Sequence, residues 1–279
     1  MSNCCKFAFS IKLLLEDMEI VGIIPTRYNS TRFPGKPLAK IGEKAMVCHV
    51  YDRASMALSD NVWVATDDER IYDTVVAHGG KAVMTSIDCA NGTARCQEAI
   101  ERLNLNPDVV INIQGDEPFI EPADIVRIAS EFETAEVEIA TLARKFNPQD
   151  GFDALFSPNN VKVVMDCNHN ALYFSRSIIP YVRDYKWQEW TSHCDFYTHI
   201  GLYGFRANTL KKITALPSVN LERAERLEQL KWLSAGYKIK IALTESRLIG
   251  VDTPSDLEQA CRYYNELKKD ESSNSTPNI

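Results

Sequence analysis

The chain has 279 residues, 45% of them hydrophobic and 25% charged, with a net charge of −7. That length can bury a sizeable core, as one large α/β domain or a domain with a substantial subdomain. The acidic balance disfavours a nucleic-acid partner, because a surface that tracks phosphates needs an excess of Lys and Arg. Eight cysteines, at 4, 5, 48, 89, 96, 167, 194 and 261, form no Cys-x-x-Cys pair. Their spacing fits neither a zinc knuckle nor a disulfide framework and points to a reducing compartment. No stretch is long and apolar enough to span a bilayer, so the expectation is a cytoplasmic protein with no membrane insertion.

Residues 1–17 stand apart. Phe7 to Leu15 is apolar except for Ser10 and Lys12, but it is too short for a membrane span and lacks a small-residue cleavage pattern. Met18 sits two residues before the first strand, so 1–17 reads as an N-terminal extension, with Met18 as a candidate native start.

Ile20, Val21, Ile23 and Ile24 suit a strand buried on both faces, and Pro25 is expected to end its ladder because it has no N–H to donate. Thr26 to Pro37 then reads as a loop carrying Arg27, Arg32 and Lys36, with turn chemistry from Asn29, Ser30, Pro34 and Gly35. A loop at the carboxyl end of a parallel strand is where open α/β sheets bind ligands. Three cations there suit a polyanion such as a triphosphate; a solvated basic loop is the alternative.

Met46 to Ala57 has the period of an amphipathic helix, on which His49 reads as a packed or surface histidine. Asn61 to Thr66 is a second strand. Asp67-Asp68-Glu69 opens a helix through Ala77 that His78-Gly79-Gly80 terminates, and Lys81 to Thr85 is a third strand. Strand–helix units repeating in this way mark a doubly wound α/β sheet. Ser86 to Arg95 is a polar loop with Asn91, Gly92 and Thr93, and Arg95 stands at the start of a helix through Leu103. It could read a pyrimidine through short hydrogen bonds or simply cap that helix. Cys89 lies in this loop, with nothing to mark it as a nucleophile.

Val109 to Ile113 is an apolar strand ending in Gln114-Gly115-Asp116-Glu117-Pro118. Asp116 there could hold Mg²⁺, a hard ion that takes carboxylate and phosphate oxygens together, or could serve as a turn aspartate. Glu121 to Phe132 is a helix, Ile139 to Arg144 a strand, and Asn147 to Asn160 a long polar connection. Val161–Met165 and Ala171–Phe174 form a hairpin that breaks the βαβ rhythm, as an inserted subdomain would. Tyr181 to Tyr197, with Tyr185, Trp187, Trp190 and Phe196, could be a lid, a dimer contact or a packed insertion. Thr198 to Arg206 and Lys238 to Leu243 are strands. Leu221 to Gly236 reads as one amphipathic helix whose Glu222, Glu225 and Glu228 suit a solvated face. Asp252, before the last helix, either mirrors Asp116 from a distant strand end or caps that helix. Residues 269–279 are polar and read as a disordered tail.

In order, Arg27-x(4)-Arg32-x-Pro34-Gly35-Lys36-Pro37 after a hydrophobic strand resembles the nucleotide-binding signature of sugar nucleotidyltransferases. It is most similar to the cytidylyltransferases that activate 3-deoxy-manno-octulosonate (Kdo), the CMP-Kdo synthetases. The likeness runs from about Ile20 to Leu257, through Gln114-Gly115-Asp116-Glu117-Pro118, Tyr173-Phe174-Ser175-Arg176 with Ile179-Pro180, and Leu227-Glu228-Gln229-Leu230. It implies a Rossmann-like nucleotidyltransferase sheet with helices on both faces, spanning 18–268, with a smaller β-containing subdomain for sugar binding and dimerisation inserted at about 145–215. It implies that Pro25, Thr26, Arg27, Arg32, Lys36, Asn91, Thr93, Arg95 and Gln114 bind CTP. Arg176, His199, Tyr203, Glu228 and Gln229 would bind the acidic sugar, Asp116 and Asp252 would hold Mg²⁺, and Arg27, Lys36, Asp116 and Asp252 would carry catalysis in a homodimer. The expected reaction transfers CMP to Kdo for lipopolysaccharide synthesis. The family usually has a His, a Ser and an acid where this chain has Cys89, Asn91 and Ala94, which leaves open an acceptor such as 8-amino-Kdo or a sialic acid. A non-catalytic nucleotide-binding module is a third reading. A dinucleotide-dependent dehydrogenase is weaker, since no G-x-G-x-x-G follows the first strand.

Overall fold

The computed structural model describes residues 18–29, 32–247 and 249–274; the expected extension 1–17 and residues 275–279 lie outside the described residues. The fold is mixed α/β, with strands β1 Ile20–Thr26, β2 Lys40–Ile41, β3 Lys44–Ala45, β4 Val62–Thr66, β5 Ala82–Met84, β6 Val109–Asn112, β7 Ile139–Lys145, β8 Lys162–Met165, β9 Ala171–Ser175, β10 Tyr197–Arg206 and β11 Ile239–Thr244. Two compact units are formed, one from residues 18–21, 106–112 and 123–247, the other from 22–105, 113–122 and 249–274.

In the second of these units, β1, β4 and β5 are parallel neighbours, with Gly22 opposite Val62 and Val64 opposite Ala82. Ile23, Ile24, Val64 and Ala65 are fully buried, which explains the unbroken apolar runs. Each such isoleucine contributes about 1.5–3 kcal/mol by leaving water. Gly22 interrupts the first run because a Cβ there would come within 2.7 Å of Leu58 Cδ1. Helices Met46–Leu58, Glu69–Ala77 and Gly92–Arg102 link or follow these strands. The acidic cluster after β4 starts its helix as expected, with the Asp68 carboxylate accepting from Arg70 N–H. Helix Pro254–Asn274 extends into the segment read as an open tail, and it packs onto Ile41, Met46, Phe119 and Val251.

Pro25 does not end β1. It pairs in register with Ala65, and the strand continues to Thr26. A proline so close to a strand end forfeits at most one ladder bond, and the chain beside it leaves the ladder for the 114–118 turn just after Ile113 donates to Ile23 O at 2.9 Å.

In the other unit the strand order is β11-β7-β10-β6; β10 runs antiparallel to β7 and β6, and β11 is parallel to β7. The expected hairpin is β8–β9, with β8 joined to β10 through Lys162 opposite Thr198. The region 221–236 differs from the single helix expected. It forms Asn220–Glu225 and Gln229–Ser234, separated by Arg226 in a left-handed conformation with φ 52°. Arg176 accounts for the break. Its guanidinium donates to the carbonyls of Glu225 at 2.7 Å and Arg226 at 3.5 Å, oxygens that a continuous helix would have used internally. The Glu225 carboxylate in turn accepts from Ser175 Oγ and Arg176 N–H.

Candidate active site

The loop after β1 is shaped from within. Gly35 adopts φ 71°, and a Cβ there would come 3.1 Å from the Tyr28 ring. Its N–H donates to Tyr28 O. Arg70, held by Asp68, stacks over the Tyr28 ring at 3.5 Å, tying the loop to helix Glu69–Ala77. A short 3₁₀ turn, Lys36–Leu38, follows directly and places Lys36 at its start.

Gly115 is needed for closeness rather than for unusual torsion. A Cβ on it would lie 2.5 Å from Thr26 Cγ2 and 3.2 Å from Pro25 O. The 114–117 turn is therefore seated directly on the end of β1. Val251 N–H donates to Asp116 O at 2.9 Å, which lays the 250–252 segment against the same turn. The result is convergence. Lys36 Nζ lies 2.7 Å from Asp116 Oδ2 and 3.1 Å from Asp252 Oδ1, and Arg32 reaches Asp252 Oδ2 at 3.1 Å. Burial pulls the Lys36 pKa down, but the two carboxylates outweigh it and leave it raised, so the ammonium is charged at neutral pH.

Asp252 is not the cap of the last helix. Thr253 Oγ1 accepts from Asp256 N–H while the Asp256 carboxylate accepts from the N–H groups of Asp252 and Thr253, a reciprocal capping box. The Asp252 carboxylate is left to the cations. Beside it, Glu117 was not anticipated. Burial, then the charges of Asp116 and Asp252, push its pKa up to about 8, and Oε2 is buried without a hydrogen-bonding partner in the protein. Two consecutive acids before a proline were the available signal.

These groups line a cleft of about 340 Å³ that takes in Pro25, Thr26, Arg27, Arg32, Lys36, Gln114, Asp116 and Asp252, with Cys89, Asn91 and Arg95 from the other loop. Arg27 and Arg32 are exposed. Asn91 lines the cleft but also caps helix Gly92–Arg102, its Oδ1 accepting from Ala94 N–H at 2.8 Å. Thr93 is buried in the first turn of that helix and does not line the cleft. Arg95 is buried too, three residues inside the helix rather than at its start. It bonds Asp67 at 2.8 Å, Thr85 Oγ1 at 2.5 Å and Ser86 O at 3.3 Å. Cys89 donates to Glu98 at 2.8 Å, and burial with that carboxylate pushes its pKa up to about 11, so it faces the cleft as a thiol.

The residues proposed for the sugar all belong to the other unit. His199 and Tyr203 are brought together, ring centroids 5.4 Å apart, although the β10–β7 register shifts between Ile200 and Tyr203. The Thr141 hydroxyl sits inside this bulge, within hydrogen-bonding distance of His199 Nε2 at 3.0 Å and of the carbonyls of Ile200 and Leu202. Burial lowers the His199 pKa to about 3 and raises that of Tyr203, with the Glu228 charge adding to the latter. Glu228 lies 3.6 Å from Lys231, and Gln229 is buried. The guanidinium of Arg176 is engaged by backbone carbonyls, including Pro158 O at 2.9 Å, in a polar knot shared with the buried ammonium of Lys162.

A parallel α/β sheet with a basic loop after its first strand, and two aspartates from later loops converging on that loop, has the build of a Rossmann-like nucleotidyltransferase. Comparison with known proteins gives the family. A cytidylyltransferase family model matches residues 21–240. A 3-deoxy-manno-octulosonate cytidylyltransferase of Parabacteroides distasonis is 53% identical over 88% of this chain and 98% of its own. An 8-amino-3,8-dideoxy-manno-octulosonate cytidylyltransferase of Shewanella frigidimarina is 48% identical over 86% and 96%. A solved CMP:2-keto-3-deoxy-manno-octonic acid synthetase complexed with CTP superposes with a TM-score of 0.80 at 37% identity, covering 89% of this chain and 99% of that one. The chain belongs to the 3-deoxy-manno-octulosonate cytidylyltransferase family.

Proposed function

We propose that the protein transfers CMP from CTP to the anomeric hydroxyl of 3-deoxy-D-manno-octulosonate. The hydroxyl oxygen gives up its proton to solvent and bonds to the α-phosphorus, the bond to the bridging oxygen breaks, and pyrophosphate leaves. The observation that carries this reading is the convergence of Asp116 and Asp252 on Lys36, in a cleft also lined by Arg27 and Arg32. Such a reaction is driven by positioning and charge neutralisation rather than by a protein nucleophile. The raised pKa of Cys89 agrees with that.

Lys36, Arg27 and Arg32 would engage the triphosphate and stabilise the charge that accumulates on the departing pyrophosphate. Gln114 and the 89–95 loop would orient the nucleoside, with Arg95 acting through the loop it anchors. In the other unit, His199 and Tyr203 would present a neutral imidazole and a phenol to the sugar hydroxyls. Glu228 and Gln229 would act beside them, and Arg176 would hold the segment that carries them.

Mg²⁺ fits the donor set. Two carboxylates, which are hard oxygen donors, converge on one point. Among the described residues no group of three or more His, Cys, Asp or Glu side chains forms a complete cage. Mg²⁺ is commonly held by one or two carboxylates together with substrate phosphate oxygens. Asp116 and Asp252 would hold it, and when bound it neutralises phosphate charge and lowers the pKa of a coordinated hydroxyl.

The product serves lipopolysaccharide synthesis in this reading, and the enzyme works in the cytoplasm as a homodimer; no described helix is long and apolar enough to cross a membrane. Pyrophosphate release with Kdo and each of the four nucleoside triphosphates tests the assignment. Release with CTP alone supports it, and release without preference for CTP rejects it. The Shewanella relative and the Cys89, Asn91 and Ala94 substitutions favour one second reading, the 8-amino sugar as acceptor. Direct competition between the two sugars decides it.

A further inference from the structure

We infer that Lys36 is an exchangeable placeholder for the divalent cation, holding Asp116 and Asp252 together until the nucleotide draws it away. This rests on the reading that those two aspartates are the metal ligands.

The geometry is that of a cation site filled by an ammonium. One oxygen from each carboxylate is aimed at a single Nζ, at 2.7 Å and 3.1 Å, and the lysine side chain is only 12% exposed. Arg32, 63% exposed, covers the second oxygen of Asp252. A divalent ion entering the nucleotide-free protein would have to displace N–H donors from both ligands while a fixed positive charge stayed beside it. Like charges at such separations repel even with substantial screening.

A triphosphate changes the balance. It offers Lys36 and Arg32 stronger anionic partners in the same cleft, and their departure uncovers Asp116 Oδ2 and both oxygens of Asp252. Nucleotide and metal therefore reinforce each other's binding, and this coupling is reciprocal. A free metal ion is refused until substrate is present. Lys36 thus contributes to nucleotide affinity and opposes metal affinity, and the two effects have opposite signs in one variant.

The test uses the full chain without nucleotide and Mn²⁺ as the probe, with free Mn²⁺ read by its electron paramagnetic resonance signal. Lys36→Gln is expected to bind Mn²⁺ at least about tenfold more tightly than wild type, and to bind CTP more weakly in EDTA. Adding Asp116→Asn to Lys36→Gln should abolish the gain. Mn²⁺ affinity unchanged or weakened in Lys36→Gln, with wild-type binding still dependent on Asp116, overturns the inference and leaves the metal site standing. A gain that persists in the double variant places the ion elsewhere and removes both. If circular dichroism shows Lys36→Gln unfolded, Arg32→Gln decides. It removes an exposed side chain and should tighten Mn²⁺ by about two- to threefold; no change there overturns the inference.

Discussion

Arg95 and Asp67 form an ion pair at 2.8 Å with side-chain exposures of only 4% and 11%. The pair joins helix Gly92–Arg102 to the end of β4, and the same guanidinium reaches Thr85 Oγ1 and Ser86 O just after β5. One side chain thereby fixes the lip of the cleft formed by residues 89–92. Arg95→Ala would leave the Asp67 carboxylate buried without its partner, and it should lower unfolding stability by about 3 kcal/mol. Urea denaturation checks this. Arg95→Lys, which keeps the charge but not the fork, should recover part of the stability and still raise KM for CTP.

Gly115 separates packing from chemistry. Its Cα lies so close to β1 that a methyl group would meet Thr26 and the Pro25 carbonyl. Gly115→Ala should displace the Asp116 turn while leaving the ligands' identity intact. Misplacement of a reacting group by about an ångström reduces rate by about a hundredfold, and kcat/KM should fall by that order. Steady-state kinetics at saturating Mg²⁺, alongside a thermal melt, separates this effect from loss of fold.

The half-buried imidazole of His199 predicts an acid limb to stability. His199 has a folded pKa of about 3 against 6.5 ordinarily, because burial penalises the charged ring. The unfolded chain therefore takes up the proton first. This contribution is complete above pH 6.5 and is lost progressively as pH falls towards 3. Between pH 7 and pH 5 the loss should be about 2 kcal/mol. His199→Gln should flatten that part of the profile, as measured by denaturant unfolding across pH. An unchanged slope would show that the ring is not held neutral.

Much of the β1–β4–β5 framework was legible because buried parallel strands give apolar runs with sharp polar ends, and the Asp67–Glu69 cluster marks a helix start in any context. Asp116 could be picked out for the same reason, as an acid just past the end of β6, whereas Asp252 follows a short apolar run, residues 249–251, that forms no strand. Their convergence could not, because it depends on Val251 bonding Asp116 O across 135 residues of chain. Glu117 escaped notice since only burial distinguishes it from its neighbour. The break at Arg226 was also hidden. Nothing in Leu221–Gly236 disfavours a helix locally, and the cause is Arg176, fifty residues earlier. Arg95 shows the opposite limit. Its place in the motif suggested a position at the nucleotide cleft, which it lines, but not that its guanidinium is also held by Asp67, Thr85 and Ser86.

In the proposed reaction Asp116 and Asp252 jointly hold a divalent ion on which phosphoryl transfer depends. The most direct measurement is pyrophosphate release from CTP and Kdo by Asp116→Asn, a near-isosteric change, in Mg²⁺ at concentrations that saturate wild type. A folded variant with kcat reduced at least about a thousandfold is the predicted result. Turnover at the wild-type rate would contradict it.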